Sequence, residues 1–267
     1  MKFSTVVRHF FFGFPFVLFA APALSVPVDL SGWQINGSGN WSLQSNPEPS
    51  DSVFQSLNSR PTVFFNGQNS QGTALAGSIE VQTTSDDDFI GFVLGYNDGD
   101  LFSDDADYIL VDWKQGTQSG WDAGMAISRV TGAIDTCGTC TASDAWQHTG
   151  NVEVLERAAT LGNTGWLDNT SYLFDIVFTS SNIQVLVNEV LQFDIDGSFQ
   201  DGSFGFYNFS QPDVLYAGIT EEEAPDPDPG NGSDPKPVPT PASLGLMILG
   251  LLGLALKRRN PIRQTSV

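Results

Sequence analysis

"SDDDFIGFVLGY", residues 85–96, sets three consecutive aspartates directly against a strand-like apolar run. Side chains of an extended chain alternate between faces. Phe89, Gly91, Val93 and Gly95 would therefore share one face, and Ile90, Phe92 and Leu94 the other. A strand apolar on both faces belongs in the middle of a sheet that is covered on each side. The three aspartates have no place in that core. They read as a solvated turn, a cation site or half of a catalytic carboxylate pair.

Working outward, "GSIEVQT", "YILVDWK", "GMAISRV", "YLFDIVF", "NIQVLVN", "VLQFDI" and "SFGFYNF" are further short runs rich in Val, Ile, Phe and Tyr. Gly, Asn, Asp and Ser separate them, and several alternate at period two. No long segment between residues 26 and 220 shows helical periodicity. The pattern predicts one all-β domain over residues 26–220, a sandwich or barrel.

The ends of the chain carry a different message. Residues 1–25 combine Lys2 and Arg8 with a short apolar stretch and the small-x-small site Ala23-Leu24-Ser25, the pattern of a secretory signal peptide. Residues 221–241, "EEEAPDPDPGNGSDPKPVPTP", are acidic and rich in Pro, and read as an extended linker. Residues 242–259 form a short apolar transmembrane segment closed by Lys257, Arg258 and Arg259, and residues 260–267 follow as a cytoplasmic tail. This order resembles the PEP-CTERM sorting tail, which exosortases of Gram-negative bacteria recognise. Where that family has Pro-Glu-Pro, this chain has Pro239-Thr240-Pro241. The resemblance implies a protein tethered to the inner membrane through its tail and then passed to the cell surface or extracellular space.

The formal net charge is −20, which excludes nucleic acid and anionic membrane surfaces as partners of the domain. It suits divalent cations. The two cysteines, Cys137 and Cys140 in "TCGTC", read as a local disulfide in an exported protein. Two thiols are too few for a structural zinc site.

"SDDDFIGFVLGYN", "YILVDWKQG", "AWQHTG", "LGNTGWLDNTSYLF", "NIQVLVNEV" and "GSFGFYNFSQPDVLYAGI" occur in this order along the chain. Together they resemble the thrombospondin C-terminal domain family, over roughly residues 73–219, a span of ordinary domain size. The resemblance implies a lectin-like jelly-roll β-sandwich that binds calcium and works in extracellular adhesion or matrix contacts. There are departures. The family's WHTG is Trp146-Gln147-His148-Thr149-Gly150 here, with an inserted glutamine, and its cysteine before the FSQ segment is Asn208. The Asp-rich calcium repeats and EGF-like modules that precede the family's domain are missing from this chain.

With the resemblance in hand, Asp86, Asp87 and Asp88 are the candidate ligands of Ca2+, an ion that takes several oxygen donors in loop geometry. At the foot of a strand, Asp86 and Asp88 would point to one side and Asp87 to the other. A second acidic loop carries Asp98, Asp100, Asp104, Asp105 and Asp107, lacks the EF-hand order, and reads as a solvated insertion. Trp113, Trp146 and Trp166 coincide with the family's motif tryptophans and read as structural. Trp33, Trp41 and Trp121 have no assigned role.

The jelly roll also serves glycoside hydrolases, which need two carboxylates at a set separation in a cleft. The acid pair available, Asp194 and Asp196, shares one face of an exposed strand, and the domain's histidine, His148, lies within a motif of a non-enzymatic family. The expectation is therefore a non-catalytic, calcium-binding adhesion or matrix protein of the cell surface or biofilm, whose partner is extracellular polysaccharide or a surface protein. The alternative is a lectin for exopolysaccharide, marked by an exposed aromatic and polar patch beside the aspartates. A glycoside hydrolase stands third.

Overall fold

The computed structural model describes residues 26–44, 50–135 and 143–224. The segments read as a signal peptide and an apolar tail, most of the segment read as a linker, and Cys137 and Cys140 lie outside the described residues. No helix among the described residues is long and apolar enough to cross a membrane.

The strands in chain order are β1 (Val26–Pro27), β2 (Gln34–Gly37), β3 (Trp41–Gln44), β4 (Ser52–Gln55), β5 (Thr62–Phe65), β6 (Thr73–Val81), β7 (Phe89–Tyr96) and β8 (Asp107–Lys114). They continue with β9 (Gly124–Thr131), β10 (Val152–Arg157), β11 (Ser171–Phe178), β12 (Asn182–Val187), β13 (Val190–Asp196), β14 (Ser203–Phe209) and β15 (Val214–Glu223). One short helix, α1 (Ser143–Gln147), precedes β10. The strands form an eight-stranded sheet, ordered β13-β12-β11-β6-β15-β4-β3 with β1 also on β15, and a seven-stranded sheet, ordered β10-β9-β8-β7-β14-β5-β2. All pairings between strands are antiparallel. This is the all-β two-sheet sandwich that the strand pattern predicts. β15 keeps pairing with β6 through Glu223, so the first three residues of the segment read as a linker are strand.

β7 is buried at every position and lies between β8 and β14. Its Ile90, Phe92 and Leu94 enter the core between the sheets, with Phe64, Phe174, Phe206 and Tyr216. Phe89 and Val93 enter a second core on the opposite face, with Leu110, Tyr108 and Tyr207. The alternation breaks once. Gly95 has a φ of 73°, the register with β14 shifts there, and Tyr96 joins the second core. A left-handed glycine in a bulge re-aims the following side chain in this way.

The second core is roofed by loops, and one of them is the acidic connection between β7 and β8. That connection is not the solvated insertion its composition suggests. A 3-10 turn over Asp100–Phe102 places Leu101 at 0% exposure. Its backbone is tied to the segment after β9: Ile134 N–H and Asp135 N–H both donate to the Leu101 carbonyl, at 3.1 and 2.9 Å. Asp100 is buried and accepts the Asn97 N–H at 2.7 Å, while Asp104 and Asp105 remain in solvent. The loop is acidic at its rim and apolar where it meets the sheet.

Trp33 and Trp41, without a role from sequence, belong to the core between the sheets. Trp41 stacks on Phe64 with ring centroids 5.5 Å apart, and its Nε1 donates to Thr62 Oγ1 at 3.0 Å. Trp33 stacks on both Phe64 and Phe206.

Candidate metal centre

Phe89 at the start of β7 pairs with Lys114 at the end of β8 and with Phe209 at the end of β14. The antiparallel registers therefore bring three loops to one end of the seven-stranded sheet: Asp86–Asp88 before β7, Gln115 and Gly116 after β8, and Ser210 and Gln211 after β14. One carboxylate oxygen from each of Asp86, Asp87 and Asp88 falls within 4.8 Å of the others. The residues lie before β7 rather than on it, so the two-sided alternation expected from a strand does not apply.

The loop is held by its backbone. Asp87 accepts N–H bonds from Gln115 and Gly116 at 3.1 and 3.3 Å. Asp88 donates its N–H to Gln211 Oε1 at 3.0 Å, and its carbonyl accepts Trp166 Nε1–H at 3.1 Å. Trp166 and Trp113 are each 1% exposed, and Trp113 Nε1 donates to the Thr164 carbonyl at 2.7 Å. Gln115 reaches Asp168 of the "GWLD" stretch at 3.0 Å. The structural reading of these two tryptophans follows from their burial and partners. They lock the loop that carries the carboxylates.

The three carboxylates are not equivalent. Asp88 is 3% exposed, and its Oδ1 lies 2.5 Å from Nζ of Lys114, which is wholly buried. The same ammonium donates to the Asp87 carbonyl at 3.1 Å and to Gln118 Oε1 at 3.2 Å. It sits 4.8 Å from the Trp146 ring and 5.2 Å from the Phe89 ring, within cation–π range. Burial pushes the Asp88 carboxyl above its ordinary range, while the Lys114 hydrogen bond and charge pull it down. Asp86 and Asp87 are half-buried. Asp86 accepts from Asn58 Nδ2 and, at 3.1 Å, from the Asp87 N–H.

Sequence reasoning found the aspartates but missed Lys114, Gln118 and Gln211. Lys114 stood in view within "WKQ". Only the β7–β8 register shows that it reaches back to the acidic triplet.

These residues fit a hard divalent cation. Carboxylates and backbone carbonyls are the donors calcium prefers. Lys114 matches the charge of Asp88 at short range and reaches Asp87 Oδ1 at 3.4 Å, while Asp86 and Asp87 keep part of their surface in solvent. Gly116 leaves open the space beside Asp87: a Cβ there would come within 2.2 Å of Asp87 Oδ2.

A second buried pair lies behind the first. His148 Nε2 is 2.9 Å from Asp112 Oδ2, with side-chain exposures of 0% and 1%. The imidazole stacks on Trp121 at 3.7 Å, and the Arg157 guanidinium packs against the same indole at 5.0 Å. This is a packed structural pair, closed to any substrate. Asp194 and Asp196 both accept from Asn182 Nδ2, at 2.9 and 3.0 Å, on the exposed side of β13.

The chain is 29% identical to chicken thrombospondin-2 over 217 residues, covering 74% of this chain and 17% of the relative. It is 26% identical to human thrombospondin-3 over 186 residues, covering 62% of this chain and 19% of that protein. The chain thus spans about a fifth of the length of these relatives. Among solved structures, the carbohydrate-binding module CBM66 from Bacillus subtilis superposes with a TM-score of 0.50 at 11% identity, over 72% of this chain and 96% of the module. That likeness is one of fold. The family model for the thrombospondin C-terminal region matches residues 37–222, from the last residue of β2 to the penultimate residue of β15, and takes in the acidic triplet, Lys114 and Gln211: the chain belongs to the thrombospondin C-terminal region family.

Proposed function

We propose that the protein is an exported, non-catalytic recognition domain, stabilised by calcium at Asp86 and Asp87, that serves adhesion or matrix contact outside the cell. The observation that carries the reading is the convergence of three carboxylates within 4.8 Å on a loop fixed by Gln211, Trp166 and Lys114. The unliganded cluster repels itself, and a divalent ion reverses the sign of that interaction. Bound calcium would supply charge neutralisation and rigidity there, and no chemical step.

The non-catalytic reading is supported by what the ionisable groups are doing. His148 is enclosed with Asp112, and Asp88 is committed to Lys114. The aromatic residues around the triplet are engaged within the protein: Trp146 and Phe89 face Lys114, and Trp166 donates to the Asp88 carbonyl. The partner in this reading is a surface protein or extracellular polysaccharide, reached after export by the leader and release from the tail.

Calorimetric titration of the full chain with calcium tests the reading. Saturable binding with a raised melting temperature is expected. Asp86→Asn with Asp87→Asn should remove both effects while leaving the Asp88–Lys114 pair intact. A wild-type chain whose melting temperature does not respond to calcium would contradict the assignment.

A further inference from the structure

Charge is distributed unevenly between the two sheets. Among the described residues the basic side chains are Arg60, Lys114, Arg129 and Arg157. Arg60 precedes β5, and the others lie on β8, β9 and β10, all in the seven-stranded sheet. Each is engaged there: Arg60 with Asp135, Lys114 with Asp88, Arg129 with Asp107 and Arg157 with the carbonyls of Gly162 and Ala123. The strands of the eight-stranded sheet carry acids and no base.

The outward face of that sheet follows from the registers. One row of neighbours runs Thr220, Ala76, Asp175, Leu186, Leu191, and the next runs Glu222, Ala74, Val177, Gln184, Asp194. Their alternates, such as Leu75, Ile176 and Val185, fill the core between the sheets. Leu173 and Leu191 are 47% and 45% exposed on this face. Asp175 stands among them. Its carboxyl is raised by burial alone, with no hydrogen bond lowering it, and that of Glu222 is raised by burial and by the charge of Asp175. Leucines that remain in water and carboxylates that are poorly hydrated and mutually repelling share one surface.

We propose that the outward face of the eight-stranded sheet docks a cationic polypeptide segment of a partner, its Lys or Arg side chains meeting Asp175 and Glu222 and its apolar side chains resting on Leu173, Leu186 and Leu191. Charge complementarity selects the sign of the partner, because an anionic glycan or nucleic acid would be repelled. The leucines select a polypeptide. Leu173, Asp175 and Val177 follow one another along the face of β11 at about 6.8 Å, the spacing at which an extended chain presents alternate side chains. A sugar instead favours aromatic platforms. This surface is separate from the acidic triplet, and the proposal holds whether or not calcium binds there.

Fluorescence anisotropy of the full chain with a labelled peptide of alternating Lys and Leu tests it. The buffer contains a chelator, so that calcium binding plays no part, and about 50 mM salt, where screening is still weak. Saturable binding is expected, about tenfold weaker for Asp175→Asn with Glu222→Gln, and within about twofold of wild type for Asp104→Asn with Asp105→Asn, which removes equal charge from the roof of the other sheet. Should the first double variant fail to fold, Leu191→Ser at its exposed position carries the test, with binding about threefold weaker. Equal weakening by both double variants would reduce the effect to diffuse electrostatics and overturn the proposal. So would equal affinity for a peptide of alternating Glu and Leu, or no saturable binding by the wild-type chain.

Discussion

Lys114 is the residue on which the acidic loop depends. Its ammonium is out of water and answers to the Asp88 carboxylate, at longer range to that of Asp87, and to one carbonyl and one amide oxygen. Removing one partner of a buried pair leaves an uncompensated charge and costs about 3–5 kcal/mol, whereas replacing both by apolar groups is often close to neutral. Urea unfolding should therefore show Lys114→Met destabilised by about that amount, and Lys114→Met with Asp88→Leu less destabilised than either single variant. Additive losses would mean that the pair is not a unit. The sequence offered the triplet as self-repelling carboxylates. It could not show that one of them already had a counter-ion, because the pairing spans 26 positions and is made by the β7–β8 register.

At the scale of elements, β7 was legible because both its parities are apolar, and only a strand covered twice satisfies that. What covers the second face was not legible. Sequence composition marked the loop at residues 97–107 as acidic and therefore solvated. Its two buried apolar residues, Leu101 and Ala106, were outnumbered by the aspartates around them. Burial of single positions inside a polar loop has no periodicity to betray it. Leu101→Ala should cost about 2–5 kcal/mol, as a large-to-small change in a core does, and a cost near zero would show that the loop is not a roof. β10 and the short strands β1 to β3 were missed for a related reason. β10 has the burial pattern of a strand with one face in solvent interrupted by a bulge, β1 is two residues long, and β2 and β3 are too short and polar to alternate visibly.

For the whole molecule, the charge imbalance has a measurable consequence. Burial raises the carboxyls of Asp100, Asp175, Glu221 and Glu222 above their ordinary values. A carboxyl held above its unfolded value takes up its proton earlier in the native state. Stability then grows as pH falls from neutral through the raised values, and the gain is complete near the ordinary carboxylate pKa of 3.8 for aspartate or 4.5 for glutamate. Scanning calorimetry should give a higher melting temperature at about pH 5 than at neutral pH, with a smaller difference in Asp175→Asn. A melting temperature that falls over the same interval would mean that ion pairs outweigh these desolvated acids.

The central claim is that the end of the sandwich where β7, β8 and β14 meet holds a divalent ion on a loop already braced by Lys114. A crystal structure of the chain grown with millimolar calcium, on the order of extracellular supply, tests it most directly. The account predicts an ion bound by the carboxylates of Asp86 and Asp87, with Lys114 still on Asp88. Water alone around those two side chains, in crystals grown at that concentration, would contradict it.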